Sequence, residues 1–63
     1  MKIEDLIKNY FSNKSNTCVI NGIMKIDYLD GNYFKVNGID RNKKFTTEIF
    51  VDEEKELVLI LPK

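Results

Sequence analysis

Residues 17–40 read TCVINGIMKIDYLDGNYFKVNGID, and the way this stretch doubles back on itself decides the architecture. It carries Asn-Gly at 21–22 and again at 37–38, with Asp-Gly-Asn at 30–32 between them. Each is a hairpin signal, because Asn, Asp and Gly tolerate the positive φ values that tight turns require. The 30–32 segment sits between two β-rich runs, "IMKIDYL" and "YFKV", and is read as the loop of a hairpin. With Asp30 to Asn32 as the loop, Leu29 faces Tyr33, Tyr28 faces Phe34, Asp27 faces Lys35 and Ile26 faces Val36. Those pairs match aromatic with aromatic, acid with base and branched with branched. A loop shorter by one residue would set Asp27 against Phe34.

The Asn-Gly pairs are weighed against that hairpin. A turn at Asn37-Gly38 would pair Lys35 with Asp40, but it competes with the wholly polar "RNKK" at 41–44. Both cannot be turns, since the strand between them would be too short to pair. Apolar alternation resumes after 44 with Phe45, Thr47, Ile49 and Val51, so 41–44 is taken as the turn and Gly38 as a kink within a strand. At Asn21-Gly22 the parity of Cys18, Ile20, Met24, Ile26 and Tyr28 runs through unbroken, as in one long bent strand. Met24 would then stand opposite Gly38, and two neighbouring glycines would let the sheet curl.

Outward from this stretch, "MKIEDLIKNYF" (1–11) sets Ile3, Leu6, Ile7, Tyr10 and Phe11 on one stripe at helical spacing. Glu4 and Asp5 fall in the first turn, where the helix dipole favours negative charge, and Glu4 and Lys8 form an i,i+4 pair. The polar run "SNKSN" (12–16) stops the helix. At the other end, "DEEK" (52–55) makes a turn and "ELVLILP" the last strand, ended by Pro62. Leu57 to Leu61 are all apolar, so alternation is lost and this strand needs cover on both faces. Bare, it is an aggregation hazard.

The expected fold is therefore α+β: an N-terminal amphipathic helix (about 2–12) on a curled four-stranded antiparallel meander, with strands about 17–29, 33–40, 44–51 and 56–61. It is a single domain over 1–63, a small half-barrel of SH3-like size. A chain this short buries only about 60% of its unfolded surface, so its core is marginal without a disulfide, a metal or association. Cys18 is the sole cysteine and there is no histidine, which argues against a disulfide and an intramolecular zinc site and raises the prior for self-association.

The same inventory narrows function. Without histidine there is no general base near neutral pH, no Ser-His-Asp set and no Cys-His pair; Gly-rich phosphate loops are also missing. No enzyme, cofactor or metal is expected. Cys18, beside Val19 and Ile20, reads as a small apolar residue rather than a reactive thiol. No apolar run approaches the roughly 20 residues of a membrane span, and no signal peptide is visible, so a cytoplasmic protein is expected. The abundance of Lys, Ile and Asn suggests an AT-rich genome such as a low-GC bacterium or its phage.

Three surfaces could bind. The sheet face away from the helix, expected to show Ile23, Leu29, Tyr33, Ile39, Phe50, Val58 and Ile60, is too apolar to stay wet, and is the candidate partner or dimer face. The turn Arg41, Lys43 and Lys44, with Lys25, Lys35 and nearby aromatics, outlines a single-stranded nucleic-acid site, weakened by a formal net charge of +0. The acidic patch Glu48, Asp52, Glu53, Glu54 and Glu56 could meet a basic surface, but lacks the glycine of a cation loop. The expected function is a small non-catalytic protein-binding module, such as a phage or mobile-element accessory protein that inhibits a host factor. The alternatives are a small-barrel nucleic-acid binder and a self-assembling subunit, with a protein partner or homodimer favoured over nucleic acid and no membrane role.

Overall fold

A computed structural model describes residues 2–62. Helix α1 spans Ile3–Lys14, two residues past the expected end, and the Ser15 N–H closes it on the Phe11 carbonyl at 3.0 Å. The apolar stripe works as its spacing requires: Leu6, Ile7 and Phe11 are buried, and Tyr10 meets Phe11 edge-on at 5.2 Å. Lys14 sits in the last turn, where the dipole favours a cation, with Nζ 5.1 Å from the centre of the Tyr10 ring.

Strands β1 (Cys18–Lys25), β2 (Tyr33–Asp40), β3 (Lys43–Asp52) and β4 (Leu57–Ile60) form one antiparallel sheet in the order β1-β2-β3-β4. The helix packs on one face, and its backbone comes nearest to the two edge strands, so the sheet cups it without closing into a barrel. Ile7, Val36, Ile49 and Val51 are fully enclosed at the centre, with Leu6, Phe11 and Val58 around them.

Neither Asn-Gly pair is a turn. Gly38 lies within β2, in unbroken register with β3. The β2–β3 turn is instead Arg41-Asn42, both at positive φ (52° and 67°), the geometry of a type I′ hairpin. A non-glycine residue held there is strained, Arg more than Asn. The double replacement Arg41→Asn with Asn42→Gly should therefore raise stability by about 1 kcal/mol, read as an upward shift of the urea midpoint at unchanged slope.

The first hairpin differs from the expected register. Strand β1 ends at Lys25, which pairs with Phe34; Met24 pairs with Lys35 and Ile23 with Val36. Ile26 is buried, at 7% exposure, outside the helix-side core cluster; its N–H still donates to the Tyr33 carbonyl at 2.9 Å, so the chain reverses over 27–32. Beyond it Tyr28 is left in solvent, and Gly31, at φ 103°, brings the chain back. A second difference lies at Asn21, which is an extra residue in β1: Ile20 pairs with Gly38 and Gly22 with Asn37. This bulge breaks the parity that the sequence carried through Gly22. Ile23 therefore turns inward beside Val36, and Met24 turns outward, 59% exposed.

Strand β4 is set by its pairs Val51 with Val58 and Ile49 with Ile60. Those put Val58 and Ile60 on the helix side, and Leu57 and Leu59 outside. Val58 is a core residue, not part of an outer face; Ile60 points inward but lies beyond the helix, 40% exposed.

Candidate functional site

The face away from the helix is built row by row from the ladder. Tyr33, Phe50 and Leu59 are aligned in one row across β2, β3 and β4. The rings of Tyr33 and Phe50 meet at 5.0 Å between centroids, tilted by 52°. Gly31 lies beside them without crowding: a Cβ there would make only ordinary contact, 3.5 Å from the Tyr33 ring and 3.8 Å from Phe50. The loop carrying Gly31 is pinned to the far side of the sheet, because the Asn32 side-chain amide donates to Glu53 and the Val51 N–H donates to the Asn32 carbonyl. Leu57 and Met24 flank this corner, both strongly exposed. The result is an apolar corner with a preset shape, at the end of the sheet that carries the 26–32 loop and the β3–β4 turn.

Further along, the same face becomes polar. Lys35 stands opposite Glu48, and the Thr46 hydroxyl donates to the Asn37 side chain at 2.8 Å. Val19, Ile39 and Lys44 form the last row, beside the Arg41-Asn42 turn.

Of the residues expected on the partner face, Tyr33, Ile39 and Phe50 lie on it, with Ile39 at the far end from the other two. Ile23, Val58 and Ile60 point to the helix side, and Leu29 belongs to the loop, half-buried. Leu57, Leu59 and Met24 take the vacated places. The signal for the leucines was present but ambiguous, since every residue from Leu57 to Leu61 is apolar and either parity fits.

The basic turn stays small. Arg41, Lys43 and Lys44 are exposed at one end, whereas Lys35 faces Glu48 and Lys25 pairs at the opposite end with Phe34. The aromatics Tyr33 and Phe50 stand near that opposite end, about 20 Å along the strands from the cationic turn at ~3.3 Å per residue. The expected neighbourhood of cations and aromatics is thus not assembled.

Of the acidic residues, Asp52, Glu53, Glu54 and Glu56 gather at the β3–β4 turn, whereas Glu48 lies further along β3. The Asp52 side chain accepts the Lys55 N–H at 3.2 Å and closes the β3–β4 turn, while Glu53 accepts from Asn32. Glu54 is exposed and Glu56 holds a positive φ of 53°. Among the described residues no group of acids, cysteine and histidine is placed to hold a metal ion.

At the C-terminal end of α1, a hydrogen-bond knot joins helix to sheet. The Ser15 hydroxyl donates to Asp40 at 3.0 Å, and the Thr17 hydroxyl donates to the same oxygen. These donors, Thr17 foremost, together with Arg41, hold the Asp40 carboxyl below its ordinary value. Cys18 is adjacent, half-buried with Phe11 and Phe45 close by; burial first, and the Asp40 charge second, push its thiol up, which disfavours the nucleophilic thiolate.

No family model matches this chain, and neither a curated protein nor a solved structure resembles it closely enough to count as a match.

Proposed function

We propose that this is a small non-catalytic protein-binding module that engages its partner through the corner formed by Tyr33, Phe50, Leu57 and Leu59. One observation carries the reading: two half-buried aromatic rings in tilted contact lie beside two exposed leucines, next to a loop tied to the β3–β4 turn through Asn32. Rigid aromatic anchors with adjacent apolar side chains are what binding hot spots are made of. The Lys-, Ile- and Asn-rich composition supports an AT-rich genome, such as that of a low-GC bacterium or its phage, and the module is placed among accessory proteins that act on a host factor. The nucleic-acid reading has less support, because the cationic turn and the stacking aromatics lie at opposite ends of the sheet.

The test compares binding of low-GC host proteins by the native chain, by a Tyr33→Ala/Phe50→Ala variant, and by an Arg41→Glu/Lys43→Glu/Lys44→Glu variant, each verified as folded by circular dichroism. The aromatic variant should weaken the captured complex about 30-fold or more, as loss of hot-spot anchors does, and the charge-reversed one should retain it. The opposite pattern, or tight oligonucleotide binding at low salt lost with the charge reversal, would replace this reading with the nucleic-acid one.

A further inference from the structure

The sheet has two open edges, and the backbone treats them differently. The Leu61 N–H donates to the Glu48 carbonyl at 2.9 Å. In an antiparallel ladder successive residues bond to alternate sides, so Leu57, Leu59 and Leu61 bond to β3, and Val58 and Ile60 turn their N–H and C=O groups to the open edge. Between 57 and 61 this edge carries no charge, no bulge and no proline. Pro62 has the parity of Val58 and Ile60, so its missing N–H is one that would have faced the edge, and it ends the row there.

The β1 edge is blunted by comparison. Its outward-facing backbone groups belong to Cys18 and Ile20 before the bulge and to Ile23 and Lys25 after it, so their spacing is broken at Asn21. The Cys18 N–H is also already bonded to the Ser15 carbonyl at 3.2 Å. Bulges and charged residues are the usual protection of an edge strand, and β4 has neither.

We propose that β4 pairs antiparallel with β4 of a second copy of this chain, about a two-fold axis passing beside Leu59. Setting Val58 opposite Ile60 of the copy satisfies all the free backbone groups of both residues in both chains. Shifting the register to place Val58 opposite itself brings in Glu56, whose positive φ takes it out of strand geometry. Placing Ile60 opposite itself brings in Pro62, which has no N–H to give. One symmetric register therefore stands out.

Side chains agree with it. Val58 and Ile60 point to the helix side, where a groove of about 350 Å³ of mixed polar and apolar lining runs between α1 and β4, bordered by Leu6, Tyr10, Asn13, Glu56 and Val58. In this register the Ile60 side chain of each copy stands beside Val58 of the other, at the mouth of that groove, which covers the half-exposed Ile60 reciprocally. On the other face Leu59 meets Leu59 across the axis. A formal net charge of +0 adds no long-range repulsion between copies. A strand pair joined by four main-chain hydrogen bonds is a small interface, so a weak dimer, in the micromolar range or above, is expected. This pairing uses the β4 edge, not the Tyr33–Phe50 rings, and goes beyond the partner site described above.

Sedimentation velocity across the micromolar range should show a monomer–dimer equilibrium for the native chain. Ile60→Lys, which replaces the apolar contact with Val58 of the second copy by a cation, should weaken it about 10-fold while leaving the circular dichroism spectrum unchanged. In a Cys18→Ser background, Leu59→Cys should give a disulfide-linked dimer in air, because a facing pair without mutual hydrogen bonds has its Cα atoms ~4.5 Å apart, within disulfide reach. Val19→Cys in that background, on the blunted edge, should not cross-link. A native chain that stays monomeric throughout, or Leu59→Cys that links no faster than Val19→Cys, overturns the proposal. Tyr33→Ala/Phe50→Ala should dimerise normally, so loss of another partner and loss of self-pairing are read separately.

Discussion

Replacing Gly38 by alanine should destabilise the domain by about 3 kcal/mol, a fall in Tm on the order of 15 °C for a chain this small. Gly38 is in an ordinary strand conformation, so the cost is steric and not a matter of glycine's backbone freedom. A Cβ there would stand 2.6 Å from the Val19 carbonyl oxygen and 2.7 Å from the Phe45 ring. The ring can yield somewhat; the carbonyl cannot, because Val19 is held in register with Ile39 on the neighbouring strand. Adding Phe45→Leu to Gly38→Ala should therefore recover less than half of the loss. Gly22, the glycine of the other Asn-Gly pair, has only the Asn37 side-chain amide at 3.9 Å, and Gly22→Ala should fall within about 0.5 kcal/mol of the native protein. Equal costs at the two glycines, measured by urea unfolding, would show that the close approach at Gly38 does not exist.

Ile7→Ala should be nearly as severe. Ile7 is the fully enclosed side chain of α1 and the point where the helix meets the sheet interior of Val36, Ile49 and Val51. Truncating such a residue costs about 2–5 kcal/mol through lost transfer energy and the cavity left behind. A domain of this size holds only about 3–5 kcal/mol in its core, so the variant should lose cooperative unfolding at ambient temperature and bind a hydrophobic dye. Ile3→Ala, on the same stripe but only half-buried, should lose about 1 kcal/mol and keep a sharp transition. A cooperative Ile7→Ala transition within 1 kcal/mol of native would mean that the helix is not the lid of the core.

The contrast between these two sites also marks what could be read in advance. The helix rests on a stripe of Ile3, Leu6, Ile7, Tyr10 and Phe11, whose period admits one docking face, and the structure uses that face. A turn directly after Asp40 and the in-strand placement of Gly38 followed from local arithmetic, since a strand cannot be as short as a second turn there would demand. The turn itself is only Arg41-Asn42, with Lys43 and Lys44 already in β3. The crowding at Gly38 had no local signature. It depends on Phe45 of β3 and the Val19 carbonyl of β1 converging on one Cα.

Binding surfaces were less legible than elements, for one physical reason. Side chains alternate sides along a strand, so a slip of a single residue exchanges every inward and outward position. Where both parities are apolar, as at Ile23 and Met24 or throughout Leu57–Leu61, pattern does not choose between them.

From its sequence alone, this chain determined one amphipathic helix, the number and order of its strands, and an inventory without histidine or a second cysteine. Only the tertiary structure decided that Asn21 bulges, that Ile26 is buried at the start of the first loop, and that Val58 rather than Leu59 faces the helix. Each of those outcomes is a competition for space among side chains distant in sequence. Such a competition is settled by the volume and shape of the whole core, which no short stretch of sequence contains.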